Sequence, residues 1–220
     1  MQDQMVEPVG VRARAKASLR QRIVETAMGL FEADGYDAVS TTRIAEAAEV
    51  TQRTVFRYFP RKDLIVYAAA DEVLAFEAAL EAALADGTPP RAAVLAALSA
   101  TARYCEDHRD SMRSFARLLA GSASLRSSEF DRQSRLEWLC ALALESAEAF
   151  RARRAVPELR CCMMAGSVMG MIRPVVRDWQ AGAAYSLTEA IDHAAAAITA
   201  LMDYANTCYE DMLVAATGTN

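Results

Sequence analysis

Gln52, Arg53 and Arg57 stand within one short stretch of a 220-residue chain, and each ends in paired hydrogen-bonding groups on a long stem. Gln matches the N6/N7 edge of adenine and Arg the O6/N7 edge of guanine, so the trio suits the reading of purine edges. Thr51, Thr54, Tyr58 and Lys62 interleave with them. Their hydroxyls and ammonium suit phosphate oxygens, and Lys62 lies beside a helix start whose dipole also favours anions. Between these polar positions Ile44, Ala45, Ala48, Val50 and Val55 are spaced to face inward, with Ala small where two helices would cross. Phe56 is expected inside with them, since an aromatic residue at this spacing often packs a core.

Such side chains need rigid elements to aim them. Ser40, Thr41 and Thr42 are N-cap chemistry for a helix over 43–48, a three-residue turn follows, and a second helix covers 52–59 until Pro60 ends it. Two short helices joined by a tight turn form a helix-turn-helix, whose second helix enters the major groove of double-stranded DNA. Ahead of it, Leu19, Ile23, Ala27, Leu30 and Phe31 recur at helical spacing over 17–34, and Gly35 supplies a stop. Residues 1–16, with Pro8 and Gly10, read as a flexible arm.

Beyond Pro60 the pattern predicts a long helix to about residue 85, a break at Asp86-Gly87-Thr88-Pro89-Pro90, and helices over 91–107, 109–120, 128–153, 157–180 and 187–215. Pro157 suits a first turn, Pro174 should kink its helix, and Ser186-Leu187-Thr188-Glu189 is a capping box. The expected fold is all-α with about nine helices, divided into the arm (1–16), a DNA-binding domain (17–63) and a larger helical body (64–220). No internal repeat is visible.

Charge and composition narrow the function. Net charge is −5, yet residues 9–62 hold ten Lys and Arg against six Asp and Glu. A basic end on an acidic body fits a protein of which one end meets phosphates. The five cysteines, at 105, 140, 161, 162 and 208, form no C-x-x-C pair, and the two histidines are His108 and His193. That disfavours a zinc site and a disulfide framework, so no cofactor is expected. Neither histidine follows a Glu by three residues, and no nucleophile–His–carboxylate set presents itself, so an enzyme is not expected. With no secretory signal and no uncharged run of membrane-spanning length, the expectation is a cytoplasmic protein without membrane contact. A thiol sensor at Cys161, Cys162 or another of the cysteines is the remaining alternative, and it requires a lowered thiol pKa.

Residues 20–64 resemble the N-terminal domain of TetR-family regulators. The resemblance is carried by Ile23, Ala27, Leu30-Phe31 and Gly35-Tyr36, then by Thr42-x-Ile44-Ala45-x-x-Ala48-x-Val50-Thr51-x-x-Thr54-x-Phe56-x-Tyr58-Phe59-x-x-Lys62. It implies that Thr41, Thr42 and Arg43 touch the DNA backbone and one base, that Gln52, Arg53 and Arg57 read bases, and that Thr51, Thr54, Tyr58 and Lys62 clamp phosphates. One departure stands out. The family commonly has Gly in the turn where this chain has Glu49, so mild left-handed strain is expected there.

The resemblance also implies a repressor that binds a palindromic operator as a homodimer, through a bundle of its last two helices, and is released by a small-molecule effector. Ala165, Gly166 and Gly170 on one helix are small enough for close approach. Leu187, Ile191, Ala194, Ile198, Leu201, Ala205 and Met212 form a stripe on the last. Both stripes could equally serve the monomer core. Tyr104, Met112, Phe115, Leu118, Trp138, Leu142, Met163 and Trp179 are candidate walls of a pocket for a hydrophobic or amphipathic ligand, with core filling as the alternative for each.

Overall fold

A computed structural model describes residues 9–153 and 156–217. Among these the chain is all helical: α1 (Val9–Asp34), α2 (Thr41–Ala47), α3 (Gln52–Tyr58), α4 (Asp63–Ala69), α5 (Glu72–Ala85), α6 (Pro90–Asp107), α7 (Arg109–Gly121), α8 (Ala123–Glu145), α9 (Ala147–Ala152), α10 (Leu159–Gln180) and α11 (Leu187–Thr217). The chain forms two compact units. The first comprises the residues up to Ala70 together with Arg117–Arg126, and the second comprises Asp71–Ala116 and the residues from Ser127 onward.

Eleven helices replace the expected nine because two long segments break at side chains that cap a new helix. Asp71 accepts a hydrogen bond from the Leu74 amide at 3.1 Å, which starts α5 and divides the expected 61–85 helix. Ser146 does the same for α9 through the Ala149 amide at 3.0 Å, dividing 128–153. Ser122 accepts from the Leu125 amide at 3.1 Å, so α8 begins at Ala123, before the expected residue 128.

The expected arm over 1–16 is also corrected from its ninth residue onward, since α1 begins at Val9. Residues 11–22 are rich in Ala and Arg, which favour helix by their intrinsic propensity. Residues 1–8 lie outside the described part.

In the first unit, Ile23, Val24, Ala27 and Phe31 are buried along one face of α1 and meet Ile44, Ala45, Val55, Phe59, Ile65 and Val66 in a common core. Each large aliphatic or aromatic side chain so buried is worth about 1.5–3 kcal/mol relative to exposure. Val50, expected inside, is half-buried. The first unit also draws in the junction of α7 and α8: Ser124 Oγ donates to Asp37 Oδ1 at 2.5 Å and Ser122 Oγ to the same oxygen at 3.1 Å. These bonds hold the Asp37 carboxyl below its usual pKa.

In the second unit α5 packs on α6, and α11 packs on α6 and α10. Glu106 of α6 caps α11 from a distance in sequence, accepting from the Leu187 amide at 2.7 Å and from the hydroxyls of Ser186 and Thr188 at 3.0 and 2.6 Å. The capping box is half realised, because Ser186 Oγ accepts from the Glu189 amide at 3.2 Å. Arg132 lies half-buried between Glu72 and Glu129, with its guanidinium 5.1 Å from the centre of the Phe115 ring. By length and composition alone α10 is apolar enough to cross a membrane, with mean hydropathy 1.3. Here it packs on α11 and buries Cys161, Met164, Ala165, Val168, Met169, Ile172 and Trp179.

Candidate nucleic-acid interface

The two short helices owe their geometry to local hydrogen bonds. Ser40, in extended backbone, accepts from the Arg43 amide at 3.1 Å and starts α2. At the other end the Glu49 amide donates to the Glu46 carbonyl at 3.1 Å and the Val50 amide to the Ala45 carbonyl at 2.9 Å. That paired closure requires a left-handed residue between helix and exit. Gly87 takes that place after α5 with φ +78°, whereas after α2 the residue is Glu49 with φ +55°. The strain expected from the sequence is therefore present.

Thr51 opens α3 by accepting from the Thr54 amide at 3.1 Å, and its hydroxyl also lies 2.9 Å from Thr54 Oγ1. Val55 is fully buried and Phe59 nearly so, which locks the inner face of α3. Gln52, Arg53, Phe56 and Arg57 are then exposed together on the side of the helix next to that buried pair. Four side chains at i, i+1, i+4 and i+5 share one side of a helix. Phe56 corrects the expectation that it packs inside: it is 44% exposed. Val55 and Phe59, one turn apart, already supply the inward pair, and Phe56 sits a full 100° step round from Val55.

The outer face is partly preorganised. Gln52 Nε2 donates to Thr41 Oγ1 at 3.1 Å, tying the start of α3 to the start of α2 while the amide oxygen stays available. Arg57 has its guanidinium 5.4 Å from the half-buried Tyr58 ring. Arg53 and Arg57 have no acidic partner among the described residues, whereas Arg43 pairs with Asp34 at 2.8 Å. Thr42 is exposed and Thr41 half-buried beside it. Along α1, Arg14, Lys16, Arg20 and Arg22 are all exposed, which extends the basic surface of this unit.

Lys62 departs from its expected place as a phosphate clamp. Its ammonium donates to the carbonyls of Tyr36 and Val39 at 2.8 and 3.0 Å and lies 4.0 Å from the Tyr36 ring centre. Burial pushes its pKa down, and the nearby Asp37 opposes that. Two of its three donors thus tie the connection after α1 to the start of α4. Tyr36 is itself buried, and burial with the charges of Asp63 and Asp37 raises its phenol to about 12. Thr51 and Thr54 likewise direct their hydroxyls to the cap of α3.

The candidate ligand walls fall less neatly together. Met112, Phe115, Leu142 and Trp179 are buried in the second unit, and Tyr104, Trp138 and Met163 are half-buried there. Leu118 belongs to the first unit. No group of three or more His, Cys, Asp or Glu suited to a metal occurs among the described residues. Burial raises the thiols of Cys105, Cys140, Cys161 and Cys162, the reverse of what a reactive thiolate needs.

Comparison with known proteins places this geometry in context. Residues 23–69 match the family described as bacterial regulatory proteins, tetR family. The chain is similar to the HTH-type transcriptional regulator TcmR of Streptomyces glaucescens, 41% identical over 86 residues, which is 38% of this chain and 37% of that protein. It is similar also to the HTH-type transcriptional repressor KstR of Mycolicibacterium smegmatis, 38% identical over 79 residues, or 35% of this chain and 39% of that one. The matches thus span less than two-fifths of these relatives. Among solved structures, Thermus thermophilus FadR, a TetR-family transcriptional repressor in complex with lauroyl-CoA, shares the fold with a TM-score of 0.56, at 20% identity over 83% of this chain and 92% of that one.

Proposed function

We propose, from the match of residues 23–69 to bacterial regulatory proteins of the tetR family, that the protein is a sequence-specific DNA-binding repressor that an amphipathic effector releases. The observation that carries this reading is the outer face of α3. Gln52, Arg53, Phe56 and Arg57 stand exposed on a helix whose inner face is locked, and neither arginine has an acidic partner among the described residues. Gln52 and Arg53, in the first turn, reach purine edges; Phe56 offers an apolar surface to a thymine methyl; Arg57 takes a base or a phosphate. Thr42, Arg43, Tyr58 and the exposed cations of α1 supply the sequence-independent phosphate attraction.

The protein acts as a homodimer in this reading. Ala197, Ala200, Tyr204, Thr207, Asp211 and Val214 are exposed on α11 at alternating spacings of three and four, the repeat of a helix that packs against another helix. The predicted stripe on α11 instead serves the protomer at Leu187, Ile191, Ile198 and Ala205, leaving Met212 exposed. On α10, a Cβ built at Gly166 or Gly170 meets nothing within 4 Å, so both glycines border open space that a partner helix would occupy. A two-fold dimer presents two copies of α3 to successive major grooves about 34–36 Å apart.

The chain passes between its two units three times, after Ala70, Ala116 and Arg126. A ligand that binds one arrangement of the second unit better than another would reach the DNA-binding unit through these joints and shift the population that fits the operator. Fluorescence anisotropy with the protein's own promoter duplex tests the reading. Arg53→Ala should weaken specific binding by about 1–3 kcal/mol while changing binding to unrelated duplex much less. Equal losses on both duplexes would contradict it.

A further inference from the structure

Arg113 Nε and Trp179 Nε1, both in the second unit, are buried donors without a hydrogen-bond partner. Trp179 is fully buried, so no surface water explains its idle N–H. Buried donors are nearly always satisfied in native proteins, and an exception asks for a missing acceptor. The surroundings indicate what that acceptor is. Arg109 holds its guanidinium 4.6 Å from the centre of the Trp179 ring, and Arg113 follows one turn later on the same side of α7.

Arg109 and Arg113, like Arg103, Arg151 and Arg177, have no acidic partner among the described residues, while Arg91, Arg132, Arg135, Arg153 and Arg173 of the same unit each have one. The neighbouring acids are otherwise placed. Glu106 spends its carboxylate on the start of α11, and Asp107, Asp110 and Asp178 are exposed. A guanidinium over the indole ring, a second one turn along α7 and the idle indole N–H offer donors and positive charge and no acceptor. A neutral apolar ligand leaves all of them idle, whereas an oxyanion engages all three.

We propose that Arg109, Arg113 and the Trp179 N–H form the oxyanion-binding end of the effector site, which selects an amphipathic acid, a carboxylate or phosphate monoester on an apolar body, over neutral compounds of the same shape. This rests on the effector-responsive reading above and specifies its ligand class. Charge-assisted bonds to Arg are the strong ones, and a site built around a hydrogen-bonding group rejects the analogue that lacks it.

Calorimetry and thermal shift on the full chain with decanoate and decyl phosphate below their micelle concentrations, and with 1-decanol below its solubility limit, test the proposal. One of the two acids should bind about tenfold or more tighter than 1-decanol, and the tighter acid identifies the head group. Arg113→Met and Trp179→Phe should each lose most of that preference for acid while keeping wild-type affinity for operator DNA without ligand, which shows that they fold. Arg113→Lys should restore part of it by restoring the charge. Equal binding of acid and alcohol, no binding of any of the three, or wild-type acid affinity in Arg113→Met would overturn the site. Release of DNA by 1-decanol as readily as by decanoate would overturn the site and leave the effector-responsive reading standing. Tight decanoate binding with unchanged operator affinity would do the reverse.

Discussion

Glu49 occupies a backbone conformation that glycine adopts freely, and its side chain gains nothing visible in return. An L-residue in the left-handed region costs about 1–2 kcal/mol, against about 0.5–1 kcal/mol for the extra chain entropy glycine would lose on folding. Glu49→Gly should therefore stabilise the protein by about 0.5–1 kcal/mol in urea unfolding. A destabilisation would mean that the Glu49 side chain has a partner in solution. Lys62 carries the opposite expectation. Removing a charged donor that holds two carbonyls costs about 1.5–3 kcal/mol, so Lys62→Met should lower stability by that amount, and weaken DNA binding only as far as it loosens the fold. The salt dependence of DNA binding by the folded variant checks this, because a lost phosphate contact would reduce the slope by about one ion per half-site. At this scale the residue types were legible and their partners were not. Glu49 was read correctly because the turn geometry is local. Phe56 was misread, and the carbonyl partners of Lys62 went unseen, because both placements depend on Tyr36, Val39 and Phe59, and periodicity records no such neighbours.

Helices were legible wherever an apolar stripe ran along them, and their ends were legible where glycine or proline marked a stop. What the pattern hid was a cap inside an otherwise helical run. Asp71 and Ser146 each turn one expected helix into two, and both are ordinary polar residues until their backbone leaves the helical conformation and their side chain accepts a capping bond. The cap on α11 was half visible. Ser186 was named from its motif, but Glu106 lies 80 positions away and only folding brings it there. Burial pushes the Glu106 carboxyl up, yet the bonds from Thr188, Ser186, Leu187 and the Thr188 amide outweigh it and leave the pKa below its usual value. A carboxyl lowered on folding stabilises the protein above its unfolded pKa, and that contribution fades as pH falls through the folded value. Thermal unfolding from pH 7 down to 3 should show this. Glu106→Gln should melt lower than wild type at pH 7, and the two should converge at the acid end, below about pH 4.3. A constant gap across that range would exclude ionic capping of α11 by Glu106.

For the molecule as a whole, an all-α chain with a basic N-terminal unit and an acidic body could be read from charge and periodicity. The return of Arg117–Arg126 to the first unit could not, because contacts between distant segments leave no local trace. The dimer is the first claim to test at this scale. Gly170→Arg fills open space in the protomer and should leave its helical fold intact, while shifting sedimentation at micromolar concentration from dimer to monomer and lowering the melting temperature only by the lost association. An unaffected dimer would move the interface off this face of α10. The central claim is that α3 reads DNA sequence in duplicate. It is tested most directly by selecting preferred sites from random duplex DNA with the wild-type protein and with Gln52→Ala, Arg53→Ala and Phe56→Ala. The account predicts a palindromic wild-type site, relaxed purine preference at symmetric positions for the first two variants, and relaxed thymine preference for the third. Wild-type preference at every base in all three variants would contradict it.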